Sequence, residues 1–480
     1  MGRTANSFWF QLIALCACAA ALSTPASAQF ETRGSFLALT NSVTQSIAAG
    51  DFNHDGKLDL AVVSYCCPVG GVSILFGNGD GTFRPPVDYA AGKQPYSIVA
   101  VDLNHDGNLD LAIADSRSQH FYILLGNADG TFEKATPGPE LPRNPEMIAV
   151  GDFSGDGIPD IVTASYSVIS VSLGNGDGTF QEPINIPPPT AVESIAVGDF
   201  NGDGNLDLAE AGTFGSESGV TILLGRGNGT FVDGETYPTD TSPESMAVAD
   251  LNADHKLDLV IANSEGGSID VLLGNGDGTF ESAVPYPILF CTWVTVADVN
   301  GDGKPDLVTA TDYDFAHNIS GAGIFLGNGD GTFQDPTYYQ GNSYATSEVV
   351  VGDFNGDGKA DLVITNSAGN NVLEMLNTGA VSFSPTAPLT FKKQAVGTKS
   401  VAQKVTLTNT GKIPLTISSM KLAGQFAMSS TCGKGVAAGK SCTISVTFSP
   451  QSQGAKSGTV TINDSASSKP MVIELSGTGT

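Results

Sequence analysis

Residues 199–211 read DFNGDGNLDLAEA and residues 353–365 read DFNGDGKADLVIT. The acidic nonapeptide that opens both, D-x-N-x-D-G-x-x-D, recurs from Asp51, Asp102, Asp152, Asp199, Asp250, Asp298 and Asp353, at intervals of 47 to 55 residues. A period of this size marks a repeat architecture, in which each unit is one supersecondary element that buries its apolar face against its neighbours. The second unit shows the order of elements. SIVAVDL (97–103) is an apolar strand, the acidic loop follows, LDLAIA (109–114) is a second strand, FYILLGN (121–127) a third, and the turn ADGTF (128–132) leads to a more polar fourth. Four short strands per unit, seven times over and with no helical periodicity, predict an all-β chain built on a seven-bladed β-propeller. The seventh unit ends in MLNTGAVSF, where the GNGDGTF of other units has decayed, while residues 30–40 precede the first inner strand and are spare. This N-terminal segment is expected to close the seventh blade as its outer strand, with VSFSP as the alternative.

The loop chemistry suggests a cofactor. Oxygen donors at positions 1, 3, 5 and 9, a backbone carbonyl at 7 and a glycine bend at 6 suit a hard cation, so Ca²⁺ is expected at up to seven loops. The donors are Asp51, Asn53, Asp55 and Asp59; Asp102, Asn104, Asp106 and Asp110; Asp152, Ser154, Asp156 and Asp160; Asp199, Asn201, Asp203 and Asp207; Asp250, Asn252, Asp254 and Asp258; Asp298, Asn300, Asp302 and Asp306; Asp353, Asn355, Asp357 and Asp361. A metal-free turn, in which these side chains bond their own backbone, is the competing reading. Ser154 is a weaker ligand than Asn, and His255 occupies the glycine position of the fifth loop, where positive φ is costly. An EF-hand is excluded, because position 12 holds strand residues such as Val62 and Ile113 instead of Glu.

These residues, with LLGNGDGTF at 272–280, resemble FG-GAP repeats, the blades of the integrin α-subunit propeller, and the related bacterial VCBS repeats. The resemblance covers about residues 30–383 and implies calcium between the first two strands of each blade, at positions 1, 3, 5 and 9. It implies no particular ligand, since such propellers serve in adhesion, in lectins and as accessory modules.

Charge and cysteines bound the partners. The chain carries a formal charge of −28. Residues 29–383 hold 48 acids against 11 Lys and Arg, whereas residues 384–480 hold 10 Lys against 2 acids. A domain this acidic repels phosphate backbones, so nucleic acid is not an expected partner. Arg3, the apolar run from Phe8 to Leu22 and Ala26-Ser27-Ala28 read as a secretory signal over residues 1–28, with Leu15-Cys16-Ala17-Cys18 as a loose acylation box; secretion or display on the cell surface is expected, with no transmembrane segment in the mature chain. Cys432 and Cys442 flank GKGVAAGKS and are expected to form a disulfide, while Cys66, Cys67 and Cys291 leave at least one free thiol.

Residues 384–480 alternate apolar and polar in VTLTNTG, LTISSMKL, CTISVTFSP, GTVTIND and MVIELSGTG, which predicts an Ig-like β-sandwich; over about residues 389–480, in CTISVTFSP, SGTVTIND and LSGTG, it resembles Hydin-related bacterial Ig-like domains. In an up-and-down blade both repeated motifs share one face, so specificity is expected from the variable loops on the other. Candidate ligand contacts there are Tyr65, Arg117, His120, Tyr166, Phe214, Tyr313, Phe315 and His317, the last three in the long TDYDFAHNISGAG of unit six. No H-E-x-x-H, G-x-S-x-G or phosphate-binding glycine loop is present, so the chain is not expected to be an enzyme. The expected role is an extracellular calcium-binding propeller acting in binding or adhesion, lectin-like or protein-directed, with a glycan or protein as ligand.

Overall fold

The computed structural model describes residues 30–480 except 38–42, 66–69, 215–216, 289, 315–318, 342–345, 378–380, 385–387, 410–414, 438 and 465–470. The signal, Cys66, Cys67, Phe315 and His317 therefore lie outside the described residues, and so do the side chains of Phe214 and Tyr313.

Among the described residues the chain is all strand, and the first part forms seven four-stranded antiparallel sheets. In blade 1 the strands are Val43–Gly50, Asp59–Tyr65, Gly71–Leu75 and Val87–Ala90, paired in sequence order, and blades 2 to 6 repeat this plan. The innermost strands neighbour one another in blade order, and that of blade 7, Thr346–Gly352, returns to that of blade 1, which closes the ring. Middle strands are buried on both faces, as Asp59–Tyr65 and Asp110–Asp115 show, which explains their continuous apolar runs.

Blade 7 is assembled from both ends of the propeller. Its sheet joins Thr346–Gly352, Asp361–Asn366 and Asn371–Asn377 to the N-terminal strand Phe30–Leu37. Elsewhere the phenylalanine of the G-T-F turn bridges back to the residue ending the third strand, as in Gly77 with Phe83 and Gly126 with Phe132. In blade 7 Asn377 takes the glycine's place and pairs with Phe30, so Phe30 stands in for the lost phenylalanine. Its ring meets Tyr339 of blade 6 edge-on at 5.2 Å, as Phe280 meets Tyr237 and Phe333 meets Tyr286 across other blade junctions. VSFSP does not compete for that place: Val381–Ser384 pairs with Gln403–Asn409 in the C-terminal module, which thus begins ahead of the expected boundary at Ser384.

A second contact spans the same seam. The Ile47 N–H of blade 1 donates to Glu348 Oε2 of blade 7 at 3.2 Å, where the other junctions that carry this bond use Ser46 or Ser245 as acceptor. Glu348 is buried, and loss of solvation pushes its carboxyl up to about 8, only partly offset by the Ser46 and Ile47 hydrogen bonds.

The C-terminal module packs two sheets. One joins Val381–Ser384, Gln403–Asn409, Ser441–Phe448 and Phe426–Ser430; the other joins Leu389–Thr390, Met471–Gly479, Gly454–Asp464, Leu415–Ala423 and Gly435–Val436. Phe391, Phe426 and Phe448 cluster in its core, and Cys432 is disulfide-bonded to Cys442. Cys291 is a free, buried thiol.

Two measurements test the seam. Phe30→Ala should cost about 3 kcal/mol in denaturant unfolding, the usual range for a buried phenylalanine, and an unchanged midpoint would refute closure by this strand. Glu348 is protonated in the folded chain up to about pH 8 but ionises near 4.5 once unfolded, so its contribution is full below pH 4.5 and is lost as pH rises through 8. Glu348→Gln should therefore lose less thermal stability than the parent between pH 6 and about 9; parallel melting profiles would contradict this.

Candidate functional site

Each acidic loop is set by one buried carboxylate. The position-9 aspartates Asp59, Asp110, Asp160, Asp207, Asp258, Asp306 and Asp361 are all fully buried. One oxygen of each accepts the N–H of position 2 and the other accepts the N–H that ends the third strand, at 2.7 to 3.1 Å. Burial is the main cause that raises these carboxyls, Asp59 and Asp306 to about 6 and Asp361 to about 7.

The remaining donors turn around the loop backbone. Asp at position 1 accepts from the N–H groups of positions 5 and 6 in all seven loops, at 2.7 to 3.2 Å. Asp at position 5 accepts from position 7. Asn at position 3 accepts from position 5 in six loops, while the Ser154 hydroxyl leans on Asp152 at 3.4 Å. Positions 4 and 6 are left-handed throughout, including His255 at φ 66°, the strain its place in the sequence implies. As they stand, no three Asp, Glu, His or Cys side chains among the described residues are gathered closely enough to hold a metal. The donor chemistry nonetheless fits a hard cation: each ionised carboxylate oxygen keeps a further lone pair, and the carboxylates crowd together with few cationic partners, such as Lys57 and Arg84 at Asp55.

The opposite face carries a different feature. A cavity of about 400 Å³ opens at the centre of the ring, where the innermost strands begin. Six residues ahead of each nonapeptide, at the register shift of the innermost strand in six blades and just ahead of that strand in blade 3, the blades present Gln45, Tyr96, Glu146, Glu193, Glu244, Thr292 and Ser347, and all seven line this cavity. Trp293, Tyr166, Met147 and Val192 supply its apolar wall, and Glu348 lies beside them. A second hollow of about 370 Å³, lined by Gln119, Arg143, Asn144 and Ser167 among others, shares Glu146 and Tyr166 with the first. Tyr166 is 63% exposed, a free aromatic face where the two hollows meet.

Of the expected ligand contacts whose side chains are described, Tyr65, Arg117, His120 and Tyr166, only Tyr166 lines the cavities. Tyr65 is half-buried at the end of its strand, Arg117 is exposed on the loop beyond Asp115, and the His120 ring is tied to the carbonyls of Gly138 and Pro139 at 2.9 and 3.2 Å. The residues the loop-based reading missed, Tyr96, Trp293, Glu146, Glu193 and Glu244, stand at or beside the start of innermost strands. Their signal was present: a position that varies while the strand after it repeats.

Residues 51–113, 102–163, 152–209, 212–261, 250–309 and 310–364 match the FG-GAP-like repeat, and all seven nonapeptides fall within them. Residues 380–472 match the family described as "Abnormal spindle-like microcephaly-assoc'd, ASPM-SPD-2-Hydin". No curated protein matches the chain in sequence. Among solved structures, the WD40 domain of Toxoplasma gondii coronin is similar at TM-score 0.50 and 11% identity, over 73% of this chain and 85% of that one, a likeness of fold. An Agrocybe aegerita lectin, solved for its recognition of non-reducing terminal N-acetylglucosamine, aligns at TM-score 0.46 and 22% identity over 68% and 86% of the two chains. With repeats matched across most of its length and seven blades built on them, this chain belongs to the FG-GAP-like repeat family and carries an ASH-type, Hydin-related domain at its C-terminus.

Proposed function

We propose that this chain is an exported, calcium-stabilised binding protein that takes a glycan at the central cavity and the hollow beside it. The observation that carries this reading is the shared opening: an exposed Tyr166 ring between two hollows whose walls hold amide, hydroxyl and carboxylate groups of the kind that hydrogen-bond sugar hydroxyls, beside aromatic faces that cover sugar rings. The Cys432–Cys442 disulfide suits an oxidising compartment. A protein ligand is the second reading, favoured by the exposed Tyr96 and Tyr166 rings on the variable face.

Calcium, when bound, supplies positive charge to loops that otherwise concentrate carboxylates. The residues that would hold it are those at positions 1, 3, 5 and 9, for instance Asp199, Asn201, Asp203 and Asp207, with Ser154 the weakest donor and the His255 loop the most strained. The same position-9 carboxylates tie the first and third strands together, so the ion would act on stability ahead of recognition.

Two experiments follow. A melting temperature several degrees higher in about 1 mM calcium than in EDTA is expected, because a ligand bound only by the folded state stabilises it; equal values would dismiss the metal. On a glycan array, the mature chain should be retained and Tyr166→Ala should lose most of that retention with its melting curve unchanged. Retention indifferent to this substitution would place the ligand elsewhere, and breakdown of a retained glycan would reveal an enzyme.

A further inference from the structure

We infer that the hollow beside the central cavity takes an anionic group of the glycan, a carboxylate or a sulfate, and that Arg143 selects it; the inference rests on the glycan reading of this opening and adds the charge of what enters. The hollow is built in part by one long linker. Residues 138–146 join blade 2 to blade 3, nine residues where 91–94, 187–190, 240–242, 288–290 and 341–345 make the other joins between consecutive blades. Three to five residues suffice to pass from one blade to the next, so the added length answers to something other than ring closure.

That linker is held as a platform. The Leu141 N–H donates to the Gln119 carbonyl at 2.8 Å, and the Gln119 side-chain amide returns a bond to the Leu141 carbonyl at 3.0 Å. Further along, the Asn144 amide donates to the Ser116 carbonyl at 3.2 Å and the Glu146 N–H to the Ala164 carbonyl at 2.9 Å. Leu141 and Pro145 are buried, and Pro142 and Pro145 restrict the backbone around Arg143 and Asn144. Arg143 therefore stands on backbone that is already ordered, and a ligand has little left to immobilise there.

The charge of Arg143 is unspent. It is exposed at the hollow, and among the described residues the propeller's ion pairs all lie at acidic loops; Glu140 and Glu146 of its own linker do not reach it. Lys93 and Arg117, also exposed and without ion pairs among the described residues, sit on segments tied to the platform through Ser116, whose N–H donates to the Gln94 carbonyl at 3.0 Å. The acid between them, Asp115, is buried, and its carboxylate accepts the N–H groups of Lys93, Gln94 and Arg117. Of the described residues lining the two hollows, Arg143 is the single Lys, Arg or His, so an anion belongs to the outer one, and the carboxylates of the central cavity turn the neutral part of the ligand toward the ring centre. The planar guanidinium fork matches a carboxylate or a sulfate, while Tyr166 covers the sugar ring that carries it.

Calorimetric titration of the mature chain, in calcium, separates the outcomes. A glucuronate tetramer should bind at least about tenfold more tightly than the glucose tetramer of the same linkage, and added salt should weaken only the former. Arg143→Gln should abolish that preference with its melting temperature unchanged. A sulfated glucose tetramer favoured in place of the glucuronate one, and no longer favoured in the same variant, upholds the anion and assigns it to a sulfate. Equal affinity for acidic and neutral tetramers, or a preference that survives Arg143→Gln, overturns the inference and leaves the glycan reading standing. Inorganic sulfate binding as tightly as either acidic tetramer upholds the anion site and overturns the glycan reading. Failure to bind any acidic probe overturns the inference.

Discussion

One hydrogen-bonding arrangement underlies the molecule: a buried aspartate that accepts the backbone N–H of position 2 of its loop with one oxygen and the N–H closing the third strand with the other. Six such pins fix the acidic loop to the G-T-F turn of its own blade, and in blade 7 the Asn377 N–H takes the place of that turn's glycine. Position 2 then acts on the neighbouring blade. The Phe153 carbonyl accepts from Gly229 at 2.9 Å and the Phe200 carbonyl from Gly278 at 2.9 Å, while their rings pack on Phe231 and Phe280. The two motifs that recur together are therefore the two halves of one inter-blade joint. In blade 4 glycine is demanded where the turn meets the loop, since a Cβ at Gly225 would come within 2.0 Å of the Leu206 carbonyl oxygen.

That joint places the repeated inter-blade contacts at one end of the ring. Burying seven carboxylates is costly, and their raised pKa values record that cost, but it is concentrated at one end of the ring. At the other end the innermost strands start with side chains that differ from blade to blade: an amide, a tyrosine, three glutamates, a threonine and a serine on one backbone pattern. Identical backbone with individual side chains is how a symmetric scaffold produces an asymmetric site.

The sequence made the blade count, the strand order, the shared face of the two motifs and the N-terminal closure legible, because each rests on repeated local chemistry. The mechanism of closure was not, since nothing local says that Phe30 replaces the missing phenylalanine of G-T-F; that follows from its pairing with Asn377. The variable face was legible as a face, while the cavity on it was not. Loops such as the one bearing Arg117 and His120 were favoured as the usual place for recognition, yet His120 spends its ring nitrogen on backbone carbonyls, and the cavity is lined by strand beginnings. Convergence of seven positions spaced about 50 residues apart is a property of ring closure, and no window of sequence contains it.

The N-terminal strand of blade 7 has a consequence for the order in which the ring forms. Phe30–Leu37 is made ahead of the first six blades, and its partner, Asn371–Asn377, after them. Its edge must stay unpaired for that whole interval, exposed to any other free strand, including the same segment of a second chain. A long loop closed last makes the final step slow and leaves blade 7 the natural point of opening and of strand exchange between molecules.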